Sequence, residues 1–550
     1  MAIIKPDASK HLHALSDLSR DRAAVIDEVV RRTCAQLTPK QMEDIVTDSL
    51  FWERKRLEGR SDPIRDALDG AFWKDIGSQL LNAGPSHEET VRFLLKKIVR
   101  HHADEIAGNY NDRVYNIATA AVPRGMGWLL QAFSWKSFRN LFMENVDLRR
   151  KVHLQGEIKQ LQALSKKGTV ILVPTHFSNL DSVLVGWALF ELGLPPFCYG
   201  AGLNLFTNPV FGFFMNNLGA YKVDRRKKHK LYKETLKQYS TVILERGCHS
   251  LFFPGGGRSR NGAFEKKIKL GLLSTAIDSY VANLLSQKPD PNIYIVPCVI
   301  SYHFVLEAAT LIDDFLTEQG KSRYIIEDDE SSKPKVVAQF LFNFMKTSST
   351  IYLNFGRAID PFGNLVDDDG VSLSSQGRPL DITSFVQSNG QICHNPQRDQ
   401  EYTRLLGERI VERYKKENIA LTSHFIAYAY FEYLRQKFGP GDLFPLFRLS
   451  EEETTVSYKD FAAFTTPLLE RLHEEHKKGN LHLEPALRSP ELRNILESAE
   501  RNMGVYHTKR ALKIIRDGDT ERLVCEDMKL LFYYHNRMEG YGLTAREATR

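Results

Sequence analysis

The chain has 550 residues, 42% hydrophobic and 26% charged, with a formal net charge of +6 at pH 7. That is too long for one ordinary domain, and its unremarkable balance excludes a disordered or low-complexity chain. A charge this small for the length leaves no electrostatic footprint for nucleic acid, while it suits attraction to anionic lipids or phosphate-bearing substrates. The six cysteines (Cys34, Cys198, Cys248, Cys298, Cys393 and Cys525) stand singly, without a CxxC pair. Neither a disulfide framework nor a metal site is expected from them, and a reducing compartment is. Met1–Lys10 has no apolar core after basic residues, so no signal peptide is expected.

Residues 1–145 read as a helical N-terminal region, with apolar positions three and four apart in Ala24–Leu37, Phe72–Leu81 and Val91–Ile106. The pattern then changes. Thr169–Pro174, Ser250–Phe253, Ile293–Pro297 and Ile351–Phe355 are short runs rich in β-branched and aromatic residues, typical of buried strands. Helical stretches at Leu180–Leu192, Lys228–Glu245 and Gly271–Leu285 separate them. This alternation predicts an α/β domain over 146–362, with a mostly parallel central sheet flanked by helices. Within it, Ser182–Tyr221 carries one charged residue, Glu191, but Pro195, Pro196 and Pro209 interrupt it. A continuous membrane span is not expected there; a surface seated in the bilayer interface and a buried core both remain open. Residues 363–400 are polar and read as a linker or long surface loop, and 401–550 read as a helical C-terminal region.

Three segments carry chemistry. His176 and Asp181 follow the first strand and precede a helix, where open α/β sheets place their ligands. A carboxylate beside the imidazole holds one ring nitrogen protonated and leaves the other to take a hydroxyl proton; alternatively the histidine is structural and Asp181 only favours a helix start. His394 and Asp399 repeat the spacing with no strand before them, which reads as chance. Phe253–Arg260 supplies three glycines and two arginines after another strand, either an anion cradle or a plain turn. No lysine follows those glycines, and Gly320-Lys321-Ser322 lacks the glycine five residues earlier, so no nucleotide phosphate loop is expected. Gly219–Arg225 closes the uncharged stretch with a basic cluster, and 226–230 beyond it read as a solvated charged face.

Together and in this order the segments resemble the glycerophospholipid acyltransferase family, marked by a His-x4-Asp block, a Gly-x-x-x-x-Arg-type block, a Phe-Pro-Glu-Gly-Thr-Arg-Ser block and a Val-Pro block. Here these are His176–Asp181, Gly219–Arg225, Phe253–Arg260 and Ile295–Val299. Gly202–Phe206, Phe211–Gly219, Gly256–Gly262, Val296–Tyr302, Asn354–Gly356 and Leu406–Leu434 are similar to the branch that acylates glycerol-3-phosphate or dihydroxyacetone phosphate. The resemblance covers about 165–435. One departure stands out, because Gly255 occupies the place of the family's glutamate in the third block.

The resemblance implies an enzyme that moves a fatty acyl group from acyl-CoA or acyl carrier protein to the sn-1 hydroxyl of glycerol-3-phosphate, in phospholipid biosynthesis. His176 would be the general base and Asp181 its orienter. Arg225, Arg258 and Arg260 would bind the acceptor's phosphate, with Gly256 and Gly257 letting the backbone close on it. Pro297 would shape the acyl side of the pocket. No cofactor or metal is implied, and the expected place is the cytoplasmic face of a membrane, peripheral or monotopic. A lysophosphatidic acid or other lysophospholipid acceptor is the alternative within the class. A hydrolase, or a non-catalytic lipid-binding protein on the same fold, is the alternative outside it.

Overall fold

The computed structural model of the chain describes residues 12–35, 37–59, 63–82, 87–116, 149, 151–203, 206, 212–213, 215–319, 349–439, 441, 443–503, 507, 509–518 and 520–543. Gly320-Lys321-Ser322 and Phe211 lie outside the described residues.

Five helices open the chain: α1 Leu12–Arg20, α2 Arg22–Ala35, α3 Pro39–Glu58, α4 Pro63–Leu81 and α5 His87–Ile106. In α5 the residues Val91, Leu94, Leu95, Ile98, Val99, Ala103 and Ile106 return every three or four positions and are buried together, while Glu88 and Glu89 face the positive end of the helix dipole. This apolar face and those of α2 and α3 form a core with residues of a later helix, Leu231, Tyr232, Leu236, Tyr239, Val242 and Ile243.

The central sheet has seven strands: β1 Val152–Gly156, β2 Thr169–Pro174, β3 Cys198–Gly202, β4 Ala220–Val223, β5 Ser250–Leu251, β6 Ile293–Tyr302 and β7 Ile351–Phe355. They lie in the order β1-β7-β6-β2-β5-β3-β4. Only the β6–β7 pairing is antiparallel; the other five are parallel, as expected from the alternation of strands and helices. Every residue of β2, β6 and β7 is buried, the burden of a sheet covered on both faces. Helices α6 Ile158–Leu164, α7 Asp181–Glu191, α8 Lys230–Glu245, α9 Thr275–Leu285 and α10 Ala308–Gln319 accompany the sheet. α8 is buried around most of its circumference, because the N-terminal helices cover the side that the sheet and α9 leave open. Much of the uncharged 182–221 stretch is core: Trp187, Leu189, Leu194, Phe197 and Cys198 are all buried. No described helix is long and apolar enough to cross a membrane.

The charged run 226–230 is the solvated face expected only in part, at the exposed Lys228 and Lys230. Lys227 and His229 are buried, Lys227 paired with Glu105 and His229 Nε2 3.1 Å from Glu53 Oε1. Glu53 also binds Arg56 at 2.7 Å, and Arg56 reaches Asp69 at 2.6 Å, so buried charges are paired across the seam between the N-terminal helices and α8.

Residues 363–400 are not a free spacer. Isolated bridges at Ile359–Leu365, Val366–Ser372 and Leu373–Pro379 fold the segment into successive tight turns. Val366, Ile382 and Val386 are buried in the same core as the sheet. Its Asp, Ser and Gly residues build turns; Asp367 Oδ1, for example, accepts from the amides of Asp369 and Val371. The C-terminal region is mainly helical, with α11 Pro396–Lys416, α12 Thr422–Phe438, α13 Tyr458–Lys477, α14 Leu492–Asn502 and α15 Met528–His535. It adds a small antiparallel sheet in which β10 Thr520–Val524 lies between β8 Val456–Ser457 and β9 Lys513–Asp517. α12 runs through its middle and shares one continuous core with the central sheet.

Arg537, just past α15, joins the two. Its guanidinium lies over the rings of Phe177 at 4.2 Å and Phe264 at 4.0 Å, and donates to Ile300 O at 2.9 Å, Ser301 Oγ at 3.2 Å and Asn418 Oδ1 at 3.0 Å. Arg537→Ala strands these buried acceptors and leaves a void, so it lowers the unfolding free energy by about 3 kcal/mol, read from the denaturant midpoint. An unchanged midpoint would show that the C-terminal region is held elsewhere.

A second expectation concerns acid. His102 is fully buried, and desolvation, with the charges of Lys227 and His229, pushes its pKa from 6.5 down to about 3 against the pull of Glu105. The unfolded chain takes up this proton near pH 6.5 and the folded chain does not. Its contribution to stability is therefore present above pH 6.5 and lost below it, by about 1.4 kcal/mol per pH unit down to the folded value. The melting temperature falls between pH 7 and pH 5, and the fall is shallower in His102→Gln; equal slopes would refute the assignment.

Candidate active site

β2 ends at Pro174 and α7 begins at Asp181, so His176 and Asp181 stand at the carboxyl end of a central parallel strand. The Asp181 side chain is fully buried and is met by four donors. Oδ2 receives His176 Nδ1 at 2.8 Å and the amides of Phe177 and Ser178 at 2.7 and 2.9 Å. Oδ1 receives the hydroxyl of Tyr302 from the end of β6. Burial, with the Asp181 charge next, holds the Tyr302 pKa well above the ordinary tyrosine value, so this hydroxyl keeps its proton to donate. With Nδ1 committed to a carboxylate, the imidazole presents Nε2 as its proton acceptor. That nitrogen hydrogen-bonds no described residue, and the ring, 13% exposed, stacks on Phe253 at 4.2 Å.

The second copy of the spacing is different. His394 Nδ1 lies 3.6 Å from Asp399, with the histidine 46% exposed. Asn395 caps α11 by accepting from Arg398 N, and Asp399 turns back to the amide of Asn395 at 3.0 Å. That segment is a helix start; contrary to the expectation a strand does precede it, but Gln391–Ile392 is a two-residue arm of a largely exposed hairpin with Gln387–Ser388, outside the central sheet.

The other blocks converge on the same sheet end. Ser259 N donates to His176 O at 2.7 Å and ties the third block to the first. Gly256 has φ +73°, and a Cβ there would lie 2.6 Å from Lys269 Cδ; around a Cβ at Gly257 there is open space to 4 Å. Arg258 Nη1 lies 3.3 Å from Glu307 Oε1, and the fully buried Glu307 also receives Ser178 Oγ at 2.9 Å and Asn179 N at 3.1 Å. Arg225 follows β4, where Asp224 holds the neighbouring Arg226 at 3.1 Å. The Arg225 pKa is lowered by desolvation and then by the charge of Arg258. Arg225 is exposed and pairs with no described residue. Arg260 is not brought there: it pairs with Glu318 of α10 at the surface. Pro297 is buried in β6 opposite Val173, and its carbonyl accepts Gly356 N at 2.8 Å.

Side-chain nucleophiles near the imidazole are occupied or inert. Ser178 Oγ donates to Glu307, and Ser259 Oγ to Ala263 O at 2.7 Å. Burial pushes the Cys298 thiol far above its ordinary pKa. Asp69, His101 and Glu105 are close enough to share a cation, but Arg56 and Lys227 already neutralise two of them, and they lie among the N-terminal helices.

Tyr302 and Glu307 were not singled out as functional in the sequence. Tyr302 ends a stretch similar to the family's last block, a usable signal; Glu307 has none, since it reaches the site through tertiary packing.

Residues 151–301, which contain all four blocks, match the model of the Acyltransferase family. The chain is 30% identical over 263 residues to the glycerol-3-phosphate acyltransferase of Histophilus somni (strain 129Pt), covering 47% of this chain and 29% of that protein. It is 25% identical over 365 residues to the protein of the same name from Pseudomonas syringae pv. syringae (strain B728a), covering 62% of this chain and 38% of that one. The chain thus spans about three tenths of the length of the first of these relatives. The 1-acyl-sn-glycerophosphate acyltransferase PlsC from Thermotoga maritima is similar at 15% identity over 48% of this chain and 71% of that chain, with a TM-score of 0.23, too low to bear on the argument. The match to the acyltransferase family is thus confined to residues 151–301, and these two curated relatives are both glycerol-3-phosphate acyltransferases by name.

Proposed function

We propose that this protein transfers a fatty acyl group from a thioester donor to the sn-1 hydroxyl of glycerol-3-phosphate. The observation that carries the reading is the His176–Asp181 pair, closed at 2.8 Å around a buried carboxylate met by four donors, with Nε2 bonded to no described residue.

The chemistry is direct. His176 Nε2 takes the proton of the acceptor hydroxyl as its oxygen attacks the thioester carbonyl. Asp181 holds the imidazole in place and stabilises the imidazolium that forms. The tetrahedral intermediate collapses by expelling the thiolate, which receives the proton and leaves as the free thiol. The occupied Ser178 and Ser259 and the buried Cys298 favour this route over an acyl-enzyme. Arg225 and Arg258 suit the dianionic phosphate of the acceptor. Donor and product carry long apolar chains, which places the reaction at a membrane surface, with the protein attached peripherally.

Purified protein offered long-chain acyl-CoA and acyl carrier protein as donors, and glycerol-3-phosphate and lysophosphatidic acid as acceptors, forms lysophosphatidic acid from glycerol-3-phosphate. His176→Ala lowers kcat by about a hundred- to ten-thousandfold. Product from lysophosphatidic acid alone would replace the acceptor, and product that survives in His176→Ala would remove the general base. Failure with every pair would leave a binding protein on this fold. In Arg225→Ala, the loss of one charge-assisted contact raises the KM for glycerol-3-phosphate by about tenfold or more and leaves the KM for the donor unchanged. Equal changes in both would show that Arg225 does not meet the phosphate.

A further inference from the structure

Gly255 stands where the family pattern carries a glutamate, yet the place is not empty. A Cβ built on Gly255 would lie 2.3 Å from Oε1 of Glu265, 2.9 Å from its Cδ and 3.1 Å from its Cγ. Gly255 is not among the positive-φ glycines, so its backbone accepts a side chain; the obstacle is the Glu265 carboxylate. A side chain at 255 would have to displace the Glu265 carboxylate from where it lies.

The loop after the third block delivers Glu265 to this spot. Ser259 Oγ donates to Ala263 O at 2.7 Å and Asn261 Oδ1 accepts from Ala263 N at 3.2 Å, which curls the chain back. Phe264 anchors it between Phe177 and Arg537. Gly262 allows the backbone of Tyr533 to pass, since a Cβ there would lie 2.0 Å from Tyr533 O. Lys269 N then returns to Pro254 O at 2.7 Å. Burial raises the Glu265 pKa, and its carboxyl group lies against Gly255 in the block whose Phe253 stacks on the His176 ring at 4.2 Å.

What distinguishes Glu265 from the other acids here is spare accepting capacity. Asp181 is saturated by four donors, and Glu307 is engaged by Ser178, Asn179 and Arg258. Among the described residues Glu265 is met only by its own backbone amide. An acceptor such as glycerol-3-phosphate brings two hydroxyls to the site: one gives its proton to His176, and the other needs an acceptor of its own.

The geometry points to a relocated carboxylate: Glu265 supplies, from ten residues downstream, the group that the third block lacks at 255, and accepts a hydrogen bond from the second, non-attacking hydroxyl of a polyol phosphate acceptor held beside His176. This rests on the acyl-transfer reading above. It makes Glu265 a specificity residue, because dihydroxyacetone phosphate has a carbonyl in place of that hydroxyl and nothing to donate.

The test compares kcat/KM for glycerol-3-phosphate and for dihydroxyacetone phosphate in the unaltered protein, Glu265→Ala, Glu265→Gln, Gly255→Glu and the double variant Gly255→Glu/Glu265→Ala, with acyl-CoA as donor. Glu265→Ala lowers the value for glycerol-3-phosphate by about ten- to a hundredfold, the worth of one hydrogen bond to a charged group, and lowers that for dihydroxyacetone phosphate much less. The KM for acyl-CoA does not move. Glu265→Gln keeps the volume and loses the charge, so it shifts the same ratio in the same direction even if the alanine variant folds poorly. Gly255→Glu alone is impaired by the clash, and the double variant regains the preference by returning the carboxylate to 255. An unchanged ratio in both Glu265 variants would reduce Glu265 to a space filler. Absence of transfer by the unaltered protein to any acceptor would overturn the reaction itself, and this inference with it.

Discussion

The buried carboxylate of Asp181 is the constraint around which the site is built. Taking a carboxylate fully out of water costs several kcal/mol unless donors replace the lost solvent. Here two come from the backbone amides of Phe177 and Ser178, one from His176 and one from Tyr302. The amides require a tight turn between β2 and α7, and Asp181 at the first position of α7 adds the favourable helix dipole. Tyr302 requires β6 beside β2, a register fixed from Thr169–Ile293 to Pro174–Cys298. Satisfying one charge thus sets the local turn, the neighbouring strand and the direction of the imidazole. Those four donors fix where the carboxylate lies, and with it the imidazole that it holds.

Around that pair the C-terminal region is part of the site's wall. Tyr414 of α11 donates to Val173 O at 3.0 Å, at the very end of β2. His424 Nε2 lies 2.9 Å from Tyr302 O, and the Tyr534 hydroxyl accepts from Val305 N at 3.0 Å. With Arg537 these contacts brace the strand ends carrying His176 and Tyr302. The segment 363–400 leads the chain to this position along the domain's surface, burying Val366 and Val386 as it goes. Because a 1 Å misplacement of a reacting group is costly in rate, rigid support from distant sequence is a physical requirement of the chemistry.

What the sequence disclosed and what it concealed follow one rule. His176, Asp181, Gly256 and Arg258 were legible because each belongs to a strand–turn–helix unit, whose local pattern and block order are visible in one dimension. The fully buried strands β2, β6 and β7 were legible through their apolar runs, whereas β1 (Val-His-Leu-Gln-Gly) and β3 (Cys-Tyr-Gly-Ala-Gly) carry polar or glycine residues that look like loop. Lys227 and His229 resembled a solvated charge run because their partners, Glu105 and Glu53, lie on other helices. Glu307, Glu265 and Arg537 were concealed for the same reason: nothing within a few residues of them indicates what they meet. Arg260 is the converse case, since its motif neighbours point to a phosphate while its own side chain pairs with Glu318.

The two His-x4-Asp segments show why spacing alone does not carry chemistry. At 394–399 the aspartate faces its own helix start, the histidine is 46% exposed, and the pair stands 3.6 Å apart; water competes for every bond, and the imidazole has many orientations. At 176–181 the same number of residues spans a strand end and a helix start inside a covered sheet, where the carboxylate's donors are all supplied by protein. A hydrogen bond to a charged group is stronger in that low-dielectric setting, and the partner it selects is fixed. The buried strand before the histidine therefore makes the motif: it puts the pair where water cannot loosen it, and leaves one ring nitrogen facing outward.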